Sequence, residues 1–179
     1  MTMRLTFDGR ARVFGDDINT DYIIASTRKR DTLDESVLTR YLLEAVDPSF
    51  AASVRPGDLI VAGANFGCGS AMEIAATVIL AAGIRAVLAR SFSRTFYRNA
   101  INNALLPIEC DTSSIREGDR LHIALDDRRA TVRLIDRNEV LAAAPLAPLM
   151  ADVLAAGGLV SYVRNGGYRA DRGSHVEQR

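Results

Sequence analysis

The chain has 179 residues, 48% of them apolar and 25% charged. That is enough for one well-buried core, or for one domain with a small appendage. Lys plus Arg equals Asp plus Glu at 22 each. A formally neutral chain lacks the basic footprint that nucleic acid or an anionic membrane requires of its main partner. No run of about 18 apolar residues exists, so no membrane-spanning helix is expected. The opening MTMRLTFDGR has no long apolar stretch followed by a small-residue cleavage site, which points to a cytoplasmic protein.

In chain order, residues 4–14 alternate apolar and polar (Leu5, Phe7, Ala11, Val13) and predict a strand. GDDINTD follows as a polar turn, and residues 22–25 form a short apolar run. STRKRDTLDES, polar and basic without periodicity, predicts an exposed loop. Residues 33–46 have helical spacing, with Val37, Tyr41 and Ala45 on one face. Then a βαβ pattern begins. DLIVAG, IRAVLA and LLPIEC predict strands, with helices at residues 70–82 and 91–105 between them. Gly83 stands where a helix C-terminus expects glycine. Strands alternating with helices imply a parallel sheet with right-handed crossovers.

Beyond Asp111 the pattern changes. REGDRLHIAL and ATVRLID, joined at DDRR, predict a β-hairpin. APLAPLMADVLAAGG predicts a helix, and LVSYV is a last apolar run. The expected organisation is one domain over residues 1–165 and a polar tail over residues 166–179. The thiols Cys68 and Cys110 suggest a reduced protein without a disulfide framework. Together with His122 and His175, and no C-x-x-C pattern, they predict no metal site on this chain.

The most informative stretch is GANFGCGSAMEIA, residues 63–75, between a strand and a helix. Gly67 and Gly69 let the backbone approach a ligand closely. Ser70 falls at the predicted helix start as a capping hydroxyl, and Glu73 would complete a capping box. A helix start there would favour a carboxylate or phosphate. Two phosphate motifs fail. A P-loop needs Gly-Lys before Ser or Thr, and the dinucleotide pattern meets Met72 at its third glycine. The bland alternative is a tight strand-to-helix turn with a capping serine.

FGDDINTDYII, PGDLIVAGANFGCGS, RSFSRTFYRNAINNALLPIE and the closing GGLVSYVRNGG occur in that order. Together they resemble the small subunits of isopropylmalate dehydratase and homoaconitase, and the fourth domain of aconitase. The resemblance covers roughly residues 5–165. It implies an α/β fold of the swivelling β/β/α type, with a parallel βαβ core and an appended β-hairpin. It implies a hydro-lyase active only with a large subunit, which carries a [4Fe–4S] cluster able to bind a hydroxyl and a carboxylate of a malate derivative. No cofactor is expected on this chain.

By the same resemblance Ser70 matches the serine whose alkoxide removes the proton beside a carboxylate, and Asp21 matches the active-site aspartate. Thr20, Gly69 and Ala71 are expected at substrate-binding positions, and Asn19 and Thr20, which flank Asp21, are expected to orient it. Relatives usually read Gly-Cys-Gly-Ser-Ser-Arg-Glu-His where this chain reads Gly-Cys-Gly-Ser-Ala-Met-Glu-Ile. Ala71 and Met72 thus replace a serine and an arginine that bind a substrate carboxylate, and a thioether cannot mimic that pair. Arg28, Lys29 and Arg30 lie in the loop that in relatives reads the far end of the substrate, and Arg28 or Arg30 is the expected replacement cation. Arg94 and Arg98 are expected in structural or interface roles, and Cys68 as a packing residue. The expected substrate is 3-isopropylmalate/2-isopropylmalate in leucine biosynthesis. The alternatives are homoaconitate, citramalate or dimethylmalate-type diacids, or a non-catalytic anion-binding paralogue.

Overall fold

The structure, a computed structural model, describes residues 4–167. The expected polar tail, residues 166–179, therefore lies outside the described residues apart from Gly166 and Gly167. A single seven-stranded mixed sheet organises the fold, in the order β4-β3-β2-β1-β5-β6-β7. Its strands are β1 (Arg4–Val13), β2 (Leu59–Ala62), β3 (Ala86–Ala89), β4 (Leu106–Glu109), β5 (Arg120–Asp126), β6 (Arg129–Leu134) and β7 (Glu139–Ala142).

Strands β1 to β4 run parallel. The residues of β2 and β3 are buried on both faces, which explains their unbroken apolar runs. Ile60, Ala62, Val87 and Ala89 face one core, and Leu59, Val61, Ala86 and Leu88 the other. Strands β5, β6 and β7 are antiparallel and leave one face in water, so β6 alternates strictly between exposed and buried residues. The predicted hairpin is more than an appendage. Strand β5 pairs with β1 from Arg4↔Asp126 to Arg10↔Arg120, making one continuous sheet. Strand β7 escaped the sequence because its four residues, Glu-Val-Leu-Ala, carry no turn signal or buried alternation.

Among the described residues, eight short α-helices accompany the sheet. They are α1 (Thr20–Ile23), α2 (Arg28–Asp31), α3 (Glu35–Leu38), α4 (Phe50–Ser53), α5 (Ile74–Ala81), α6 (Arg94–Asn102), α7 (Pro148–Ala155) and α8 (Leu159–Arg164). The basic segment expected as a loop contains α2 and the start of α3. Asp34 caps α3 by accepting from the Ser36 amide at 2.9 Å. The long helix expected over residues 33–46 is broken. After α3 comes a 3₁₀ turn at Thr39–Tyr41, and Leu43 takes a φ of 57°. The buried side chains are Leu38, Leu42 and Leu43, and Ala45 is exposed. The run LVSYV lies in α8.

Helix α5 ends as the sequence indicates. The Gly83 amide donates to the Leu80 carbonyl at 2.9 Å, and that of Ile84 to Ile79 at 3.2 Å. Its start differs from expectation. The helix begins at Ile74, so Ser70 lies in the loop ahead of it, and Ser70 and Glu73 form no capping box.

A buried ionic cluster ties the start of β2 to β1. Asp58, 4% exposed, takes a two-pronged contact from Arg10 at 2.8 and 3.2 Å and a longer one from Arg12 at 3.5 Å. Arg12 also meets Glu117 at 2.9 Å, and its guanidinium lies 4.8 Å from the Phe50 ring centroid. Burial pushes the Asp58 carboxyl up, but the Arg10 hydrogen bond, the Arg55 amide and Arg12 outweigh it and hold it below the usual carboxylate range. A depressed carboxylate adds stability above its unfolded value and loses it as pH falls through the folded one. Asp58→Asn should therefore cost about 3 kcal/mol in denaturant unfolding near neutrality. The deficit relative to wild type should shrink as pH drops below the ordinary carboxylate range.

Candidate active site

The site lies at the C-terminal ends of β1, β2 and β3, where loops leave an open parallel sheet and ligands commonly bind. Pairing between β1 and β2 continues past the strand ends. Phe14 donates to Val61, Gly63 to Gly15, Asp17 to Ala64, Gly67 to Ile18 and Thr20 to Cys68, all between 2.7 and 3.0 Å. The loop after β3 joins them. Phe66 donates to Ser91 at 3.0 Å, Ser93 to Phe66 at 2.9 Å, and the Ser93 hydroxyl to the Gly67 carbonyl at 2.6 Å. Arg90 and the Ala64 amide both hold Asp16.

This lacing brings the segment with Asp21 to the segment with Ser70. The Thr20 hydroxyl donates to the Ser70 carbonyl at 2.9 Å. The Asn19 side chain accepts from the Asp21 amide at 2.9 Å and caps α1. One Asp21 carboxylate oxygen accepts from the Ser26 amide at 3.0 Å. Gly69, Ser70 and Ala71 are exposed, so they form the lip of the site. Within the described residues, no hydrogen bond engages the Ser70 hydroxyl, and the amides of Gly69, Ser70 and Ala71 meet no acceptor.

Met72 turns away from the lip. It is 5% exposed and packs in the core with residues of α5. Position 72 therefore offers the site neither charge nor polarity. Arg28 and Arg30 part company in the structure. Arg28 makes a forked contact with Glu44 at 2.9 and 3.1 Å and stacks 3.9 Å above the Tyr41 ring centroid. Arg30 is exposed and makes no ion pair within the described residues. Arg94 and Arg98 border a separate cleft of about 440 Å³, with Phe92, Tyr97, Glu109 and Met150.

Burial, then the charge of Asp17, pushes the pKa of the half-buried Cys68 thiol up. Burial and Asp111 push Cys110 up to about 11. With two cysteines in its whole sequence, the chain has too few thiols to hold an iron–sulfur cluster itself. Among the described residues no three His, Cys, Asp or Glu side chains gather around a cation position. An iron–sulfur cluster does not fit this chain's own residues.

A seven-stranded mixed sheet with a parallel core is the fold that the resemblance to the aconitase swivelling domain implies. Comparison with known proteins bears this out. Residues 18–113 match the aconitase C-terminal domain. The chain is 46% identical over 171 residues to the 3-isopropylmalate dehydratase small subunit 1 of Methanopyrus kandleri, covering 96% of this chain and 100% of that one. It is 44% identical to the methanogen homoaconitase small subunit of Methanocaldococcus jannaschii, covering 87% and 90%. A crystal structure of a 3-isopropylmalate dehydratase from the latter organism superposes with a TM-score of 0.86 at 42% identity, covering 91% and 96%. The chain belongs to the aconitase C-terminal domain family and is the small subunit of a hydro-lyase. Two substrate names occur at nearly equal identity, so similarity fixes the chemistry more firmly than the substrate.

Gly67 tests how far the lip depends on the lacing. Its φ is +75°, and an added Cβ would lie 2.2 Å from the Phe96 Cβ. Gly67→Ala should lower stability by about 2–4 kcal/mol, from backbone strain plus overpacking. Thermal unfolding of the isolated chain measures it.

Proposed function

We propose that this chain, joined to a larger cluster-bearing subunit, isomerises 3-isopropylmalate and 2-isopropylmalate by dehydration and rehydration. The supporting observation is the exposed, unengaged Ser70 hydroxyl on a lip clamped to the Asp21 turn. Ser70, as the alkoxide, takes the proton from the carbon beside a carboxylate. The hydroxyl leaves from the neighbouring carbon, so water is lost and a double bond forms. Return of the proton and of hydroxide to exchanged carbons completes the isomerisation. Asp21 keeps its second carboxylate oxygen free within the described residues, and that oxygen accepts from the reacting water or hydroxyl. A cluster on the partner would supply Lewis acidity, and the presence of only two cysteines on this chain supports placing it there.

The lip also supplies anion binding without an arginine at position 72. The amides of Gly69 and Ala71 face a substrate carboxylate as neutral donors. Arg30 supplies the positive charge, since Arg28 is already committed to Glu44 and Tyr41. A second reading follows from the same basic loop. Exposed Lys29 and Arg30 suit a longer, tricarboxylic substrate of the homoaconitate type.

Ser70→Ala in the reconstituted complex should abolish turnover while assembly persists. Near-normal single-turnover proton exchange would end the assignment of the base. Arg30→Ala should lower kcat/KM on isopropylmalate about ten- to hundredfold, the value of one charge-assisted bond. Arg28→Ala should instead lower thermal stability. If Arg30→Ala impairs only a tricarboxylic substrate, the second reading holds.

A further inference from the structure

Thr20 is 2% exposed, although it lies on a turn at the mouth of the site. A buried hydroxyl must find a partner. This one finds it on the other loop, at the Ser70 carbonyl, 2.9 Å away. The Thr20 amide meanwhile donates to the Cys68 carbonyl at 2.8 Å. One residue thus grips both neighbours of Gly69. The space where Gly69 would carry a Cβ is filled by the Asn19 side chain, with atoms 2.6 Å from that position. The loop is closed against sliding on that side.

The Ser70 side chain forms no hydrogen bond of its own within the described residues, so its backbone sets its direction. Among those residues, the Thr20 hydroxyl is the one side chain that bonds the Ser70 backbone. We infer that Thr20 is a positioning residue, whose buried hydroxyl aims Ser70 Oγ at the reacting carbon by holding the Ser70 carbonyl beside the Asp21 turn. This rests on the reading of Ser70 as the base. It gives Thr20 an indirect role in place of the substrate contact that resemblance implies. Misplacing a reacting group by a fraction of its diameter harms the chemical step far more than substrate binding.

The test compares Thr20→Val, which keeps the shape without the donor, with Thr20→Ser, which keeps the donor. Both are assayed in the reconstituted complex, and Thr20→Ala is used if the valine variant does not assemble. Removing the donor should lower kcat about 10- to 100-fold and leave KM within about twofold. Thr20→Ser should stay within about threefold of wild type. Measured on the residual single-turnover proton exchange of Ser70→Ala, adding Thr20→Val should bring no further loss, because it acts through the group already removed. In the isolated full chain, amide exchange at residues 69–71 should speed up in Thr20→Val while α5 stays protected.

Normal kcat in Thr20→Val beside an inactive Ser70→Ala overturns the positioning role alone. An equal additional loss on top of Ser70→Ala also overturns it, by showing another route. Normal turnover in Ser70→Ala removes the base itself, and the positioning role falls with it.

Discussion

The site depends on the continuation of β-pairing beyond the strands that begin it. A parallel pair of strands offers evenly spaced donors and acceptors. At the end of β1 and β2 those groups must be paired or solvated. Here they stay paired for seven more residues, from Phe14 to Thr20, although the chain has left regular geometry. The glycines at 63 and 67 allow the loops to come this close. Asp16 of one loop occupies the space beside Gly63, and Phe96 of α6 the space beside Gly67. The result is a loop pair with the order of a sheet and the exposure of a rim.

That arrangement explains why the molecule divides its labour along β1. The last residues, Ala11 to Val13, pair with β2 and lead into the site. The earlier ones, Arg4 to Arg10, pair with β5 and carry the antiparallel half. The ionic cluster at Arg10, Arg12 and Asp58 sits where the two pairings meet. Buried charges such as Arg12 and Asp58 are weak sources of net stability but costly to mismatch. Their geometry fits one register of β1 between its neighbours, because a one-residue slip would turn Arg10 and Arg12 to the opposite face.

The strands of the parallel core were legible because each is a short apolar run between turn residues. The end of α5 was legible in Gly83. Its start was misread because Ser70 and Glu73 imitate a capping box. In the structure the Ser70 carbonyl accepts from Thr20, fifty positions upstream, a contact that no local pattern encodes. Residues 33–46 misled in a similar way. Their spacing suits a helix, but the groups with most to bury are Leu38, Leu42 and Leu43, and burying the adjacent pair needs the break at Leu43. At the site, the motifs located the serine and aspartate segments. They did not reveal that Thr20 is buried, that Met72 faces the core, or that Arg28 is already paired, since each is decided by a distant contact.

The placement of Ser70 in a loop changes where its reactivity must come from. A helix N-terminus favours an anion only within its first turn. Ser70 lies four residues before Ile74, so α5 contributes little to an alkoxide there. No cation of this chain contacts the Ser70 hydroxyl within the described residues, and Met72 brings none. The nearby free groups of the lip are neutral amides. Neutral donors orient an anion well, but in water they do not make a serine basic. The necessary field must therefore arise when the lip is covered and water leaves, since exclusion of solvent strengthens every remaining charge and dipole. On the proposed reading of Ser70 as the base, an exposed lip with no cation on its hydroxyl within the described residues gains basicity when a partner covers it.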